Sequence, residues 1–213
     1  SVSKKSVCAV VCYSEKELSD SAQDAEHLIY KPEIIDAAAV KTACAHSAYL
    51  DIPPSANDAY LTRLLDSSRV GLVCHNVSHV QLAKKFALKY IAGSGLNIFN
   101  DYIASLFDDA DTFVYSAELT LKEISAFRNK GGLIFVNGDI TLMKMLHCPY
   151  KSIYRCDCAD CKANNELIYR DELGNEFYIR RRRDGKCSFE LINGKKLSVV
   201  AKIFHAGRYL FDY

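Results

Sequence analysis

The sequence has almost no net charge, no long apolar segment and no nucleotide-binding motif. Lysine and arginine number 27 against 26 aspartate and glutamate residues, so no overall field favours nucleic acid or a membrane surface. No apolar stretch approaches the roughly eighteen residues of a membrane span, and the N-terminal residues lack a signal-peptide pattern. Neither G-x-G-x-x-G nor a P-loop opens any helical segment, and H-E-x-x-H and a Ser-His-Asp order are also missing. These absences argue against a membrane protein, a nucleotide-binding enzyme and the common hydrolase types.

Cysteine is abundant and unevenly distributed. The chain holds nine cysteines, an odd number, and five of them lie between His147 and Asn193. An odd count grouped at metal-ligand spacing, with no signal sequence, is typical of a reducing compartment. We therefore expect a cytoplasmic protein.

The spacing of these five cysteines predicts a metal site. Cys158 and Cys161 form a C-x-x-C pair, in which two thiolates can converge on one metal, and Cys148 and Cys187 are single cysteines on either side. One pair with two single ligands is a common way to build a four-sulfur site, which would hold zinc or a 4Fe–4S cluster. The alternative ligands are Cys156 and His147, which directly precedes Cys148. The competing interpretation is a set of buried free thiols.

The segments around these cysteines indicate a small antiparallel sheet. ELIYRD and NEFYIRR alternate apolar and polar residues and are joined by Leu173-Gly174-Asn175, while Asp184-Gly185 and Asn193-Gly194 are hairpin dipeptides. A sheet of this size buries too little to be stable alone. We expect residues 147–197 to be a cysteine-rich β-meander inserted in a larger domain.

The remainder of the chain repeats a short apolar run, a turn and a helical pattern. Residues 7–146 contain seven such units, the seventh helix being DITLMKML, with capping boxes beginning at Ser14 and Thr120. After the insertion, Ser198 can cap a helix through VVAKIFHA, and RYLFDY follows as one more strand. Eight buried strands with helical crossovers predict a (β/α)8-like parallel barrel made of residues 1–146 and 198–213. An open doubly wound sheet is the alternative.

Parallel barrels carry their chemistry at the C-terminal ends of the strands. The polar or reactive residues at those positions are Cys12, Lys31, His75, Asn76, Asn97, Asn100, Glu118, Asn137 and Asp139. We take Glu118 as the candidate acid or base, with Asn97 and Asn137 beside it on the rim. The basic run from Arg180 to Arg183 is interpreted as a solvated strand beside a turn, or as a contact for an anionic partner.

Several segments occur in the order found in a known family. SGLNIFNDY, VYSAELTLKEI, FVNGDITLMKMLHCPYK, C-x-x-C, D-x-x-G-N-x-F and CSFELIN together resemble peptidase family U-thirty-two, the collagenase-like peptidases, over residues 70–213. The resemblance implies a barrel and assigns the metal role to Cys148, Cys158, Cys161 and Cys187. Where the family has the stretch GRLPLM, this chain has NGDITLM, and the family's glycine- and cysteine-rich peptidase signature is missing.

The resemblance implies a module of a collagenase-like peptidase acting on a peptide or protein substrate. Because the peptidase signature is missing, the catalytic part is expected in this chain or in other domains of a longer polypeptide. Some relatives carry iron–sulfur clusters that serve the hydroxylation of RNA or of quinone precursors, so RNA is a further candidate partner. The alternatives are thus a cluster-dependent hydroxylation module and a non-catalytic substrate-recognition domain.

Overall fold

The fold combines a large, mostly parallel sheet with a small antiparallel sheet. A computed structural model of the protein describes residues 7–23, 25–155, 161, 166–198 and 208–212. Within these residues the mixed α/β class expected from the sequence is confirmed.

The large sheet has nine strands. They are β1 (Val7–Cys12), β2 (Ala25–Tyr30), β3 (Tyr49–Asp51), β4 (Gly71–Cys74), β5 (Tyr90–Ala92), β6 (Thr112–Phe113), β7 (Leu133–Gly138), β12 (Leu197–Ser198) and β13 (Arg208–Asp212). Their order is β12-β7-β13-β1-β2-β3-β4-β5-β6, and every neighbouring pair is parallel except β12 with β7.

The sheet curls but does not form a closed (β/α)8 barrel. Among the described residues, strand pairing is continuous from β12 to β6. Between β7 and the segment that follows β6, the pairing is limited to an isolated parallel bridge between Val114 and Leu133. The predicted barrel is therefore corrected to a curled, mostly parallel sheet. The expected final strand is confirmed, because β13 lies between β1 and β7 and is parallel to both.

In the residues that the structure describes, seven helices connect the strands. They are α1 (Glu15–Ser21), α2 (Ala37–Ala45), α3 (Asp58–Leu65), α4 (Val77–Lys85), α5 (Asp101–Ser105), α6 (Leu121–Ala126) and α7 (Pro149–Tyr154), with a 3₁₀ turn at Ser94–Leu96. Side-chain caps begin most of them: Asn76 Oδ1 accepts from His79 N at 2.8 Å, and Thr120 and Glu123 form the expected capping box. In the part of the chain that is described, no helix is long and apolar enough to cross a membrane.

The two faces of the large sheet bury different sets of apolar residues. One face packs on the helices through residues such as Leu50, Leu61, Leu72 and Leu82. The other carries strand residues only: Ala9, Val11, Ile29, Val73, Ile91, Val114, Leu133 and Leu210. Since successive strand residues point to opposite faces, this second cluster fills the concave side of the curl.

The small sheet contains a strand that was predicted from the sequence to be a helix. Its strands are β8 (Thr141–Met145), β9 (Glu166–Arg170), β10 (Glu176–Arg183) and β11 (Cys187–Asn193), in the antiparallel order β8-β11-β10-β9. The expected seventh helix, DITLMKML, is wrong, because residues 141–145 of that segment form β8 and pair with β11. The helix expected in VVAKIFHA lies outside the described residues, and the domain boundaries at 146, 147, 197 and 198 stay a prediction.

Candidate functional site

Four strands of the large sheet end in polar side chains that point to the same opening. Lys31, Asp51, His75 and Asp212 lie two residues beyond Ile29, Tyr49, Val73 and Leu210, which belong to the concave face. An interval of two residues keeps a side chain on one face of a strand. The C-terminal ends of these parallel strands therefore present a polar layer above the apolar interior.

The small sheet contributes a second set of charged side chains to this opening. The strand register places Glu190 of β11 opposite Lys144 of β8 on one side and opposite Arg180 of β10 on the other. Directly opposed residues share a face of the sheet, so the three form one row. Arg182, two residues beyond Arg180, lies on the same face and reaches Asp51.

The opening contains a cavity of about 740 Å³. Its acidic and basic wall residues are Lys31, Asp51, His75, Glu118, Asp139, Lys144, Glu190 and Asp212. The volume lies in the range of small-molecule and cofactor sites. We call this cavity the mouth.

Asp51 is the most strongly held carboxylate of the mouth. Its Oδ1 accepts from Arg182 Nη1 at 3.0 Å and its Oδ2 lies 2.9 Å from His75 Nε2. Gly95 N donates to His75 Nδ1 at 3.2 Å, so Nε2 carries the proton and donates to Asp51. Burial acts to raise the pKa of Asp51, but His75 and Arg182 outweigh it and hold that pKa well below its usual value.

Glu190 and Lys31 form a second buried pair. Lys31 Nζ lies 3.2 Å from Glu190 Oε2, and this oxygen is buried without a hydrogen bond among the described residues. Burial acts to raise the pKa of Glu190, while Lys31 and Arg182 more than compensate and lower it. Glu190 is therefore an ionised carboxylate that lines the mouth and is paired with Lys31.

Asp212 belongs to a third group with different electrostatics. Tyr13 Oη donates to Asp212 Oδ1 at 2.6 Å, and Arg180, which stacks 4.7 Å from the centre of the Tyr13 ring, is paired with Asp139 at 2.9 Å. Burial raises the pKa of Asp212 and the Asp139 charge adds to this, although Lys31, Tyr13 and Arg180 oppose it. Of these three carboxyl groups, Asp212 is thus made harder to ionise, whereas Asp51 and Glu190 are made easier to ionise.

The three side chains predicted to be catalytic occupy the edge of this arrangement. Glu118 and Asn97 line the mouth and are exposed. Asn137 lies beside the mouth and donates from Nδ2 to Asp212 O at 3.4 Å. Their catalytic role stays a prediction.

The predicted zinc or 4Fe–4S cofactor is corrected by the structure. In the described parts of the chain, no group of three or more His, Cys, Asp or Glu side chains is placed to hold a metal ion. Cys156 and Cys158 lie outside those parts. Cys148 and Cys187 pack at the edge of an apolar cluster, and the exposed Cys161 accepts from Arg181 Nη1 at 3.3 Å.

The thiols and His147 have other roles in the structure. Burial raises the pKa of Cys187, and although Arg181 and Arg183 oppose this, nearby Cys148 and Cys161 add to it. His147 Nε2 lies 2.6 Å from Ser152 Oγ. Cys148 and Cys187 are half-buried beside the apolar cluster and Cys161 is exposed, so these three are not the fully buried thiols of the competing interpretation.

The structure corrects the interpretation of Arg180 to Arg183 as a solvated strand. It also adds site residues that the sequence did not indicate. Arg181 and Arg182 are buried and pair with Glu33 and Asp51, so the run is not a solvated strand. Tyr13, Asp51, Glu190 and Asp212 were not among the candidates. The available signal was the alternation itself, since each residue of the polar layer follows a concave-face residue by two positions.

Comparison with known proteins does not assign the chain to a family. Searches against family models, curated proteins and solved structures give no match. Function is therefore argued from the mouth, and the resemblance to the collagenase-like peptidases rests on the sequence segments alone.

Proposed function

We propose that this chain is a hydrolytic enzyme of the collagenase-like peptidase type that cleaves peptide substrates in the mouth. One observation carries the proposal: two carboxyl groups in the same cavity have pKa values displaced in opposite directions, Glu190 downward and Asp212 upward. Pairs separated in this way are how enzymes obtain a base and an acid from the same type of side chain.

The two carboxyl groups take complementary roles. Ionised Glu190 accepts a proton from a water molecule as the water oxygen attacks the peptide carbonyl carbon. Asp212, whose pKa is raised by burial, takes the acid role and donates a proton to the amide nitrogen as the C–N bond breaks. Lys31, 3.2 Å from Glu190 and close enough to influence Asp212, stabilises the negative charge that develops on the carbonyl oxygen.

The surroundings of the mouth suit a peptide. Apolar wall residues such as Val11, Ile29 and Leu119 lie beneath and beside the charged groups, so a peptide can place side chains against them. Asp51, Asp139, Arg180 and Arg182 are already engaged in ion pairs, and the uncharged peptide backbone need not displace them.

The proposed location and partners of the chain follow from the resemblance of its sequence to the collagenase-like peptidases. The curled sheet has the strand–helix alternation of a (β/α)8-like barrel opened between β6 and β7, which is compatible with that family. We propose a cytoplasmic chain that acts on peptide or protein, with other domains of a longer polypeptide as partners.

The test is hydrolysis of a fluorescence-quenched gelatin and of a short peptide library. We expect wild type to cleave, and Glu190→Gln and Asp212→Asn each to lower kcat by at least about a hundredfold, the usual contribution of a positioned acid or base. Glu172→Gln, an exposed change on the β9–β10 turn, is the matched control and should retain full activity. Circular dichroism of each variant checks folding.

The outcome also separates the alternatives. Peptide binding by wild type without cleavage would indicate a recognition domain and contradict the enzymatic proposal. Full activity in both carboxylate variants would contradict the assigned roles.

A further inference from the structure

Lys144 differs from every other cation in the mouth. Lys31, Arg180 and Arg182 each have a carboxylate oxygen within 3.2 Å. The Lys144 ammonium has no ion pair in the part of the chain that the structure describes, although it lines the cavity and remains accessible. An accessible amine without a counter-ion is free to contact a ligand.

A proton acceptor lies beside this amine. Glu190 is the cross-strand partner of Lys144 on the face that lines the mouth. Its Oε2 is buried, lies 3.2 Å from Lys31 Nζ and has no hydrogen bond among the described residues. An ionised carboxylate of this kind can accept a proton from a neighbouring amine.

Burial of the Lys144 side chain favours its neutral form more than bulk water does. Partial burial lowers the pKa of Lys144; Glu190 and Asp51 oppose this, and Lys31 and Arg182 reinforce it. Neighbouring cations and desolvation are the usual means by which a lysine becomes a nucleophile.

We propose that Lys144 is a carbonyl-reactive lysine that forms an imine with an aldehyde or ketone bound in the mouth. The Nζ lone pair attacks the carbonyl carbon, the carbonyl π pair moves to oxygen, and one nitrogen proton passes through Glu190 to that oxygen, giving a neutral carbinolamine. The second nitrogen proton then passes through Glu190 to the hydroxyl, which leaves as water while the C=N bond forms. The sum is amine plus carbonyl giving imine plus water, with no oxidant or reductant.

This activity goes beyond peptide hydrolysis and does not depend on it. The two reactions share the cavity and Glu190, but hydrolysis uses water as the nucleophile, whereas imine formation uses an amine of β8. Absence of one activity would not disprove the other, because peptide cleavage and imine trapping are measured in separate experiments.

Reductive trapping tests the inference. The full chain is incubated with pyruvate or, separately, hydroxyacetone in the presence of cyanoborohydride, and the modified lysines are located and quantified by peptide mapping. We expect Lys144 to be modified about a hundredfold faster than the exposed Lys195, reflecting a positioned proton acceptor. Glu190→Gln should remove most of that advantage.

The controls keep the result interpretable. Lys144→Arg retains the charge and should abolish the fast adduct, while Lys16→Arg, at an exposed position of α1, should retain it. The rate comparison between Lys144 and Lys195 is made within folded wild type, so it holds even where a variant fails to fold. Equal modification of both lysines, or a fast adduct on Lys31, would overturn the proposal.

Discussion

Asp51 is the residue on which the electrostatics of the mouth depend. One of its oxygens accepts from Arg182 and the other from His75, whose second nitrogen is occupied by Gly95 N–H. His75 therefore donates a hydrogen bond to Asp51 from Nε2 and accepts one from Gly95 N at Nδ1. Its role is to orient and stabilise the carboxylate, and the strand-end histidine is a positioning residue.

Removing Arg182 should destabilise the protein strongly. The side chain is 1% exposed, and its loss leaves a buried carboxylate with His75 as the remaining close partner. Breaking such a buried pair from one side costs about 3–5 kcal/mol, so Arg182→Ala should lower the free energy of unfolding by about that amount in urea titrations.

The matched control is Arg170→Ala. Arg170 pairs with Glu176 at the surface and its side chain is 70% exposed, and exposed pairs contribute under about 1 kcal/mol. Equal losses in the two variants would show that the Arg182–Asp51 pair is solvated.

Two aspartates should give stability opposite dependences on pH. The pKa of Asp51 is lowered by folding, so its contribution is present above the unfolded aspartate pKa, about 3.9, and is lost as the pH falls through the folded value. The pKa of Asp212 is raised, so its contribution is complete below the unfolded pKa and is lost as the pH rises through the folded value.

Urea titrations between about pH 3 and 8 measure both effects. The stability of wild type relative to Asp212→Asn should fall as the pH rises, and its stability relative to Asp51→Asn should fall as the pH drops. Asp20→Asn, at an exposed position, should show little change. A flat difference for Asp212→Asn would remove the basis for its role as an acid.

Individual site residues were only partly accessible from the sequence. Lys31 and His75 follow recognisable strands, and both were candidates. Glu190 and Arg182 were not, because their environment is created by docking the small sheet on the mouth, which links positions more than 130 residues apart, such as Arg182 and Asp51. Local patterns give the face of a strand but not its tertiary partner.

At the scale of elements, Gly138 allows the end of β7 to approach Asp212 closely beside the mouth. Its φ is +132°, and a Cβ at this position would overlap the backbone oxygen and Cβ of Asp212. The register of β7 against β13 shifts next to it, between Leu210 and Phe211. Glycine is therefore required for both its conformation and its lack of a side chain.

Gly138→Ala should be more damaging than a glycine change without close neighbours. We expect a loss of more than about 2 kcal/mol from strain and overlap, together with reduced activity because Asp212 must move. Gly174 has a φ of +79°, but a Cβ added there would meet nothing within 4 Å, so Gly174→Ala should cost only about 1 kcal/mol. Thermal or urea unfolding checks both, and equal losses would contradict the close approach of Gly138 to Asp212.

The strand β8 shows why element assignment failed at one place. Ile140, Leu142, Met143, Met145 and Leu146 have the spacing of an apolar helix face, and no glycine or proline interrupts them. Pairing with β11 outweighs that local pattern, leaving Leu142 and Met143 about half exposed. Ser198, expected to cap a helix, instead lies in the short strand β12. The remaining strands of the large sheet were recognised because their short β-branched runs have no helical alternative of comparable length.

At the scale of the molecule, the two sheets are joined by charged and backbone contacts. Ile35 N donates to Arg183 O and Arg183 N donates to Glu33 O, both at 2.7 Å. Arg181 and Arg182 add their side-chain pairs with Glu33 and Asp51. The small sheet is therefore attached at several points of one edge of the mouth.

We expect the two sheets to unfold as one cooperative unit. Native-state hydrogen exchange should give amides of β10 and β11 the same opening free energy as those of β1 and β2. Arg181→Ala should lower the values for β10 and β11 first, whereas Arg170→Ala should leave all of them nearly unchanged. A markedly lower opening free energy for β10 and β11 in wild type would show independent unfolding of the small sheet.

The alternation along β10 also protects the assembly against a docking error. Arg180 and Arg182 pair with Asp139 and Asp51, and a displacement of the strand by two residues would keep the same face towards the mouth. In one direction Asp184 would then oppose Asp51, placing like charges together. In the other direction Tyr178 would replace Arg180, leaving Asp139 without that arginine. Tyr178 and Asp184, which border the arginine run, therefore disfavour both shifted positions of β10. Only the observed position pairs both aspartates with arginines.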